Sequence, residues 1–180
     1  WDSFSFNLKG KTNFIKSLNY KYYYIRSIKF YKSIIDKISK NSHISIKLGE
    51  TTKDIIKHKN LYKVITDKNI YFSKNILDTR PNLKVFKKEP FMYQSFIGYE
   101  IKISRKIELK KNNAYIMHDM HIDGNNFYFE YILPLKKNTY LFELTTFSNK
   151  QVTFNLIENK LKKILSTYLN NSYQIIRKEH

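Results

Sequence analysis

Between Tyr93 and Ser148 the chain carries four long segments in which apolar and polar side chains alternate, separated by short runs of turn residues. Alternation with a period of two lets each segment bury one face against a core, which a helix of period 3.6 cannot do with the same residues. An antiparallel meander is therefore expected, with strands over residues 95–104, 114–122, 126–135 and 139–146 and turns at Asp123-Gly124-Asn125 and Lys136-Lys137-Asn138.

Elsewhere the pattern is mixed. Phe4, Phe6 and Leu8 alternate toward Gly10, a lysine-rich turn leads to a second possible strand, and residues 43–48 alternate through Ile44, Ile46 and Leu48 to Gly49. Residues 61–66 and 69–72 read as paired strands about Asp67-Lys68, while residues 53–59 are ambiguous between strand and link. Ile28, Tyr31, Ile34, Ile35 and Ile38 recur at helical spacing, predicting an amphipathic helix over residues 28–39 whose apolar side needs a sheet that includes residues 43–48. A second helix carries Ile157, Leu161, Ile164, Leu165 and Tyr168 on one stripe. Asn155 and Glu158 form a capping-box-like start, Asn170-Asn171 ends it, and a final strand follows at residues 173–177. Pro81, Asn82 and Pro90 punctuate a connection between sub-structures. The class is α+β. The expected division is residues 1–81, with one helix and short strands, residues 82–150, an antiparallel sheet, and residues 151–180, a helix and strand.

Composition bounds the chemistry. The 180 residues include no cysteine, which removes disulfides, thiolate-bound zinc and a thiol nucleophile and fits a reducing cytoplasmic setting. No apolar run approaches the ~20 residues of a spanning helix, so a soluble or peripheral protein is expected. The net charge of +18 raises nucleic acid or an anionic membrane surface as partner. The excess is almost all Lys spread along the chain, no nucleic-acid docking motif accompanies it, and the expectation is no nucleic acid. A chain that starts at Trp1 and stops in a strand-like run reads as an internal fragment.

Several side chains are candidates for chemistry. Leu141, Glu143 and Thr145 share one face of the last long strand, and a carboxyl buried among apolar groups keeps its proton toward neutral pH, as an acid catalyst requires. A surface or ion-paired Glu143 is the plain alternative. Asp119 lies in Met117-His118-Asp119-Met120-His121, and regular alternation would turn His118 and His121 to opposite faces, so no metal site is expected. Asp78-Thr79-Arg80-Pro81 reads by itself as a turn, Arg26 as one basic residue among many, and the aromatic strands as core.

The run Tyr93-Gln94-Ser95-Phe96-Ile97-Gly98-Tyr99-Glu100, then Met117-His118-Asp119, then Phe127 to Pro134 and then Phe142-Glu143-Leu144-Thr145-Thr146-Phe147-Ser148 resembles, in order and spacing, the lycopene cyclase family of carotenoid biosynthesis. Tyr99 stands where Trp is more usual, His121 where Arg is usual, and Leu144 where some members have a second Glu. The resemblance implies a fragment of an FAD/NAD(P)-binding two-domain flavoprotein, with residues 1–81 in the FAD-binding region, residues 82–150 binding substrate and residues 151–180 returning toward the cofactor. It implies lycopene as substrate, β-ionone rings as product, reduced FAD as cofactor with NAD(P)H as electron source, and peripheral association with a bacterial cytoplasmic membrane. Glu143 becomes the group that protonates the substrate or stabilises the cation, Asp119 a supporting second carboxylate sharing its pocket, Arg26, Asp78 and Arg80 cofactor contacts, and Tyr93, Phe96, Tyr99, Phe129 and Tyr131 substrate contacts. The four glycines are too scattered for a G-x-G-x-x-G phosphate loop, so the chain alone is expected neither to hold FAD nor to be active. The other readings are a related FAD-dependent hydroxylase or geranylgeranyl reductase, which would not need Glu143, and a basic protein bound to nucleic acid or lipid.

Overall fold

The structure, a computed structural model, describes residues 1–81, 91–104, 107–136, 138–170 and 172–179. The chain divides into two compact units, one of Trp1–Tyr24 with Glu89–His180 and one of Ile25–Lys88. Residues 1–81 thus do not form one body, because the first two strands join the large sheet.

That sheet holds β1 (Ser3–Leu8), β2 (Lys11–Lys16), β6 (Tyr93–Ile103), β7 (Asn113–Asp123), β8 (Asn126–Lys136), β9 (Thr139–Ser148) and β10 (Tyr173–Glu179). Their order is β10-β6-β9-β8-β7-β1-β2. The expected strands are present, but two features of their pairing lie outside a simple meander. β6 pairs with β9 rather than β7, and β1 pairs with β7 in parallel, so the sheet is mixed. The central pairs are in continuous register: Phe96 faces Thr145, Gly98 faces Glu143, and Tyr131 faces Glu143 from the other side. Residues directly opposite each other point to the same face, so this register decides which side chains meet.

One face is covered by α2 (Phe154–Leu169), whose Ile157, Leu161, Leu165 and Leu169 recur every four residues and are buried. They pack against Ile97, Tyr99, Ile101, Tyr128, Ile132, Phe142 and Leu144. The helix starts two residues earlier than the Asn155–Glu158 pair suggests: Thr153 is the N-cap, its carbonyl accepts from Leu156 and Ile157, and no side chain caps it. It stops at Asn170, whose φ of 44° lies in the left-handed region that Asn tolerates. On the opposite face Ala114, Leu133 and Leu141 pack with Trp1, Phe4, Tyr22 and Tyr24.

The second unit contains α1 (Ser27–Ile38) and a three-stranded antiparallel sheet, β3 (Thr52–His58), β4 (Leu61–Thr66) and β5 (Ile70–Ser73), in the order β3-β4-β5. The ambiguous residues are thus strand through His58, since β4 completes their ladder, and Lys59 begins the turn. Residues 43–48 are not. Alternation makes a strand only where a neighbour supplies hydrogen bonds, and here the backbone turns locally, with Ile44 N–H donating to the Asn41 carbonyl and His43 N–H to Asn41 Oδ1. Residues 43–48 therefore supply no strand to cover α1, and α1 buries none of its residues.

Candidate active site

Glu143 sits at the middle of β9 on the face away from α2, in a row that runs Tyr131, Glu143, Gly98, Glu179 across β8, β9, β6 and β10. Gly98 leaves room beside it: a Cβ there would lie 3.4 Å from both the Glu143 Cβ and Leu141 Cδ1. The Thr145 hydroxyl, fully buried, donates to Glu143 Oε1 at 3.0 Å. Burial pushes the Glu143 carboxyl above the usual carboxylate range; the Thr145 bond pulls it back and the charge of Glu179 pushes it further up. Tyr22 and Tyr131 are close enough for Glu143 to raise their hydroxyls too, after burial, and for Tyr22 after Tyr131 as well.

Aromatic rings continue this face. Phe129 lies 5.5 Å from Tyr131, 5.8 Å from Phe127 and 5.9 Å from Phe147, measured between centroids. Phe96, opposite Thr145 and 40% exposed, extends the set onto β6. A cleft of about 580 Å³, lined in part by Trp1, Tyr22, Tyr24, Lys111, Pro134 and Leu135, opens on the same unit. Glu143 does not line it, but Tyr22 borders both.

The expected substrate set therefore splits. Phe96, Phe129 and Tyr131 share the Glu143 face. Tyr99 does not: it opposes Phe142 on the α2 side, is fully buried, and its hydroxyl donates to Glu158 of α2. Tyr93 opposes Ser148 on that side as well and stacks edge-on against Phe91 at 5.2 Å. Strict alternation along β6 explains both, since odd positions face the helix.

Asp119 is not beside Glu143. Its side chain is half exposed, with Oδ2 3.6 Å from His121 Nδ1, and its charge acts on Glu130 and Tyr168. The cause is the shape of β7. The strand is bulged twice, between Tyr115 and His118 and between His118 and His121, and Met117 and Asp119 both have positive φ. The bulges also correct the expectation for the histidines: His118 opposes Glu130 and His121 opposes Tyr128, which share one face of β8. Even so, no group of three metal-ligating side chains occurs among the described residues.

Glu130 is the acidic residue that sequence reasoning missed. It is 97% buried on the α2 side (3% exposed), its Oε2 has no hydrogen-bond partner, and burial, followed by the charge of Asp119, raises its carboxyl to about 8. Across the ladder His118 Nδ1 is likewise buried without a partner, and burial lowers the imidazole despite Asp119. A signal existed, because Glu130 stands in a strand that is apolar on both faces.

The cofactor candidates lie in the second unit. Arg80 Nε and Nη2 bind Asp78 at 2.9 and 2.8 Å, Nη1 donates to the Thr52 carbonyl, and this pairing holds Asp78 at about 2. Arg26 is the N-cap of α1, its carbonyl accepting from Lys29 and Phe30. Gly10, Gly49 and Gly124 have positive φ but lie far apart in the chain, not clustered in a phosphate loop. With Arg80 committed to Asp78 and no glycine cradle, these residues as arranged do not fit a flavin pyrophosphate. No helix among the described residues is long and apolar enough to cross a membrane.

No curated protein matches the chain. A family model does: the one described as lycopene cyclase protein matches residues 1–180, and the chain belongs to that family.

Proposed function

We propose that this member of the lycopene cyclase family closes the ψ ends of lycopene into β-ionone rings, with Glu143 as the acid that starts the reaction. The observation that carries the reading is a carboxyl with a raised proton affinity, set among aromatic rings on the sheet face that α2 leaves open. An acid of this kind can hold its proton near neutral pH and deliver it to a terminal double bond, where a C–H bond forms and a carbocation results. Attack by the next double bond closes the ring, and loss of a ring proton restores neutrality, so the substrate is isomerised without net oxidation. The π faces of Phe129 and Tyr131 suit the cation. Asp119 has no part in this scheme, since its charge acts on Glu130 on the α2 side of the sheet.

Reduced FAD, kept reduced by NAD(P)H, is the cofactor we propose. No step above runs through it, because Arg26, Asp78 and Arg80 do not fit it as they stand. A peripheral site at a bacterial cytoplasmic membrane suits so apolar a substrate. The net charge of +18 and the exposed Ile28 and Tyr31 of α1, interleaved with Lys29 and Lys32, support it.

The test is carotenoid analysis of lycopene-accumulating bacteria that express the full reading frame containing this chain. β-Carotene with the wild type and lycopene alone with Glu143→Gln is the expected result. A Glu143→Gln variant that still forms rings would remove the acid from the reading and favour a related flavoprotein.

A further inference from the structure

Glu179 is the second carboxylate of the Glu143 row. β10 pairs with β6 so that Glu179 opposes Gly98, and β9 pairs with the other side of β6 so that Glu143 opposes the same glycine. Strands lie about 4.8 Å apart, so the two backbones are roughly 10 Å apart with no side chain between them. Two extended carboxylates can approach each other across that gap because a glycine places no side chain in it.

Glu179 is held in place there. Its Oε1 accepts from the Tyr24 hydroxyl at 2.9 Å and is paired with Arg177. Arg177 in turn donates to Tyr24 Oη at 2.6 Å and to Glu100 Oε2 at 3.4 Å, and Glu100 is 2% exposed. A buried carboxylate thus anchors the guanidinium, the guanidinium orients Glu179, and the missing side chain at position 98 points the arrangement at Glu143.

We propose that Glu179, fixed by Arg177 and Tyr24 across the Gly98 gap, is a positioning residue that keeps the proton of Glu143 in place until substrate takes it. A negative charge beside an acid disfavours the acid's ionised form, so Glu179 extends upward the pH range in which Glu143 stays loaded. The direction of the Glu143 shift agrees, with Glu179 the neighbouring charge that adds to burial. The catalytic part of the inference rests on the reading of Glu143 as the acid. The coupling of the two carboxyls does not.

The experiment therefore has two arms. Carboxyl NMR titration of the ¹³C-glutamate-labelled chain, with the Glu143 signal identified by its loss in Glu143→Gln, follows the acid directly. Replacing Glu179 by Gln should lower the Glu143 midpoint by roughly half to one pH unit, as expected for one charge at this separation near a protein surface. Glu179→Asp, which keeps the charge, should retain most of the wild-type midpoint and guards against a fold lost in the first variant. A midpoint unmoved in folded Glu179→Gln overturns the coupling. In the second arm, the alkaline limb of ring formation should move down by the same amount in Glu179→Gln. A limb that stays while the titration moves overturns the positioning role. Ring formation that survives Glu143→Gln would instead remove the function on which that role rests, leaving the titration to decide the coupling alone.

Discussion

Replacing Glu130 by Gln should remove a pH-dependent instability that the wild-type chain carries. Glu130 is 3% exposed, lacks a partner for Oε2, and in the folded state ionises at about 8, against about 4.3 in an unfolded chain. Between those values the folded state binds a proton that the unfolded state has lost, so stability falls as pH rises through the window. The groups facing it are His118 and Tyr115 of β7, Tyr168 of α2 and the charge of Asp119. Burial lowers His118 from its ordinary 6.5, so it acts in the opposite sense: it costs stability as pH falls below that value and is silent above it. The clean interval is therefore pH 6.5 to 8. Across these roughly 1.5 units, at about 1.4 kcal/mol per unit, wild type should lose about 2 kcal/mol relative to Glu130→Gln. Because Glu143 contributes in the same direction in both proteins, the difference between the two isolates Glu130. Urea unfolding followed by circular dichroism at several pH values measures it. Two stability curves that run parallel from pH 6.5 to 8 would refute the assignment of Glu130 as a buried, protonated acid.

Three further substitutions probe how the sheet presents its faces. Leu161, 1% exposed on the buried stripe of α2, should cost about 2–5 kcal/mol when cut to Ala, read as a lower urea midpoint with the helix signal lost first. Gly98→Ala meets its nearest neighbours at 3.4 Å, an ordinary contact, and should fold within about 1 kcal/mol of wild type. Gly98→Val should also fold, since Val suits a strand, but its branches would displace the Glu143 side chain, so ring formation should fall while circular dichroism stays unchanged.

Much of the secondary structure was legible because alternation and helical spacing are local properties. The four long strands, the α2 stripe and the Asn170 stop needed no knowledge of neighbours, and Glu143 could be placed on a face with Leu141 and Thr145 from the strand period alone. The errors came wherever a residue's role depended on its partners. Residues 43–48 alternate without a strand to pair with. The bulges of β7 turn His118 and His121 to one side and carry Asp119 toward Glu130 rather than Glu143. The pairing of β10 and β9 with opposite edges of β6 sets Glu179 and Glu143 on either side of Gly98, although they are far apart in the chain. The amino-acid sequence by itself determined which segments could be strands and helices and which of their faces were apolar. Only the tertiary structure decided which carboxylates meet, because register and bulges are set by hydrogen bonds between strands, and a one-residue slip sends a side chain to the other face.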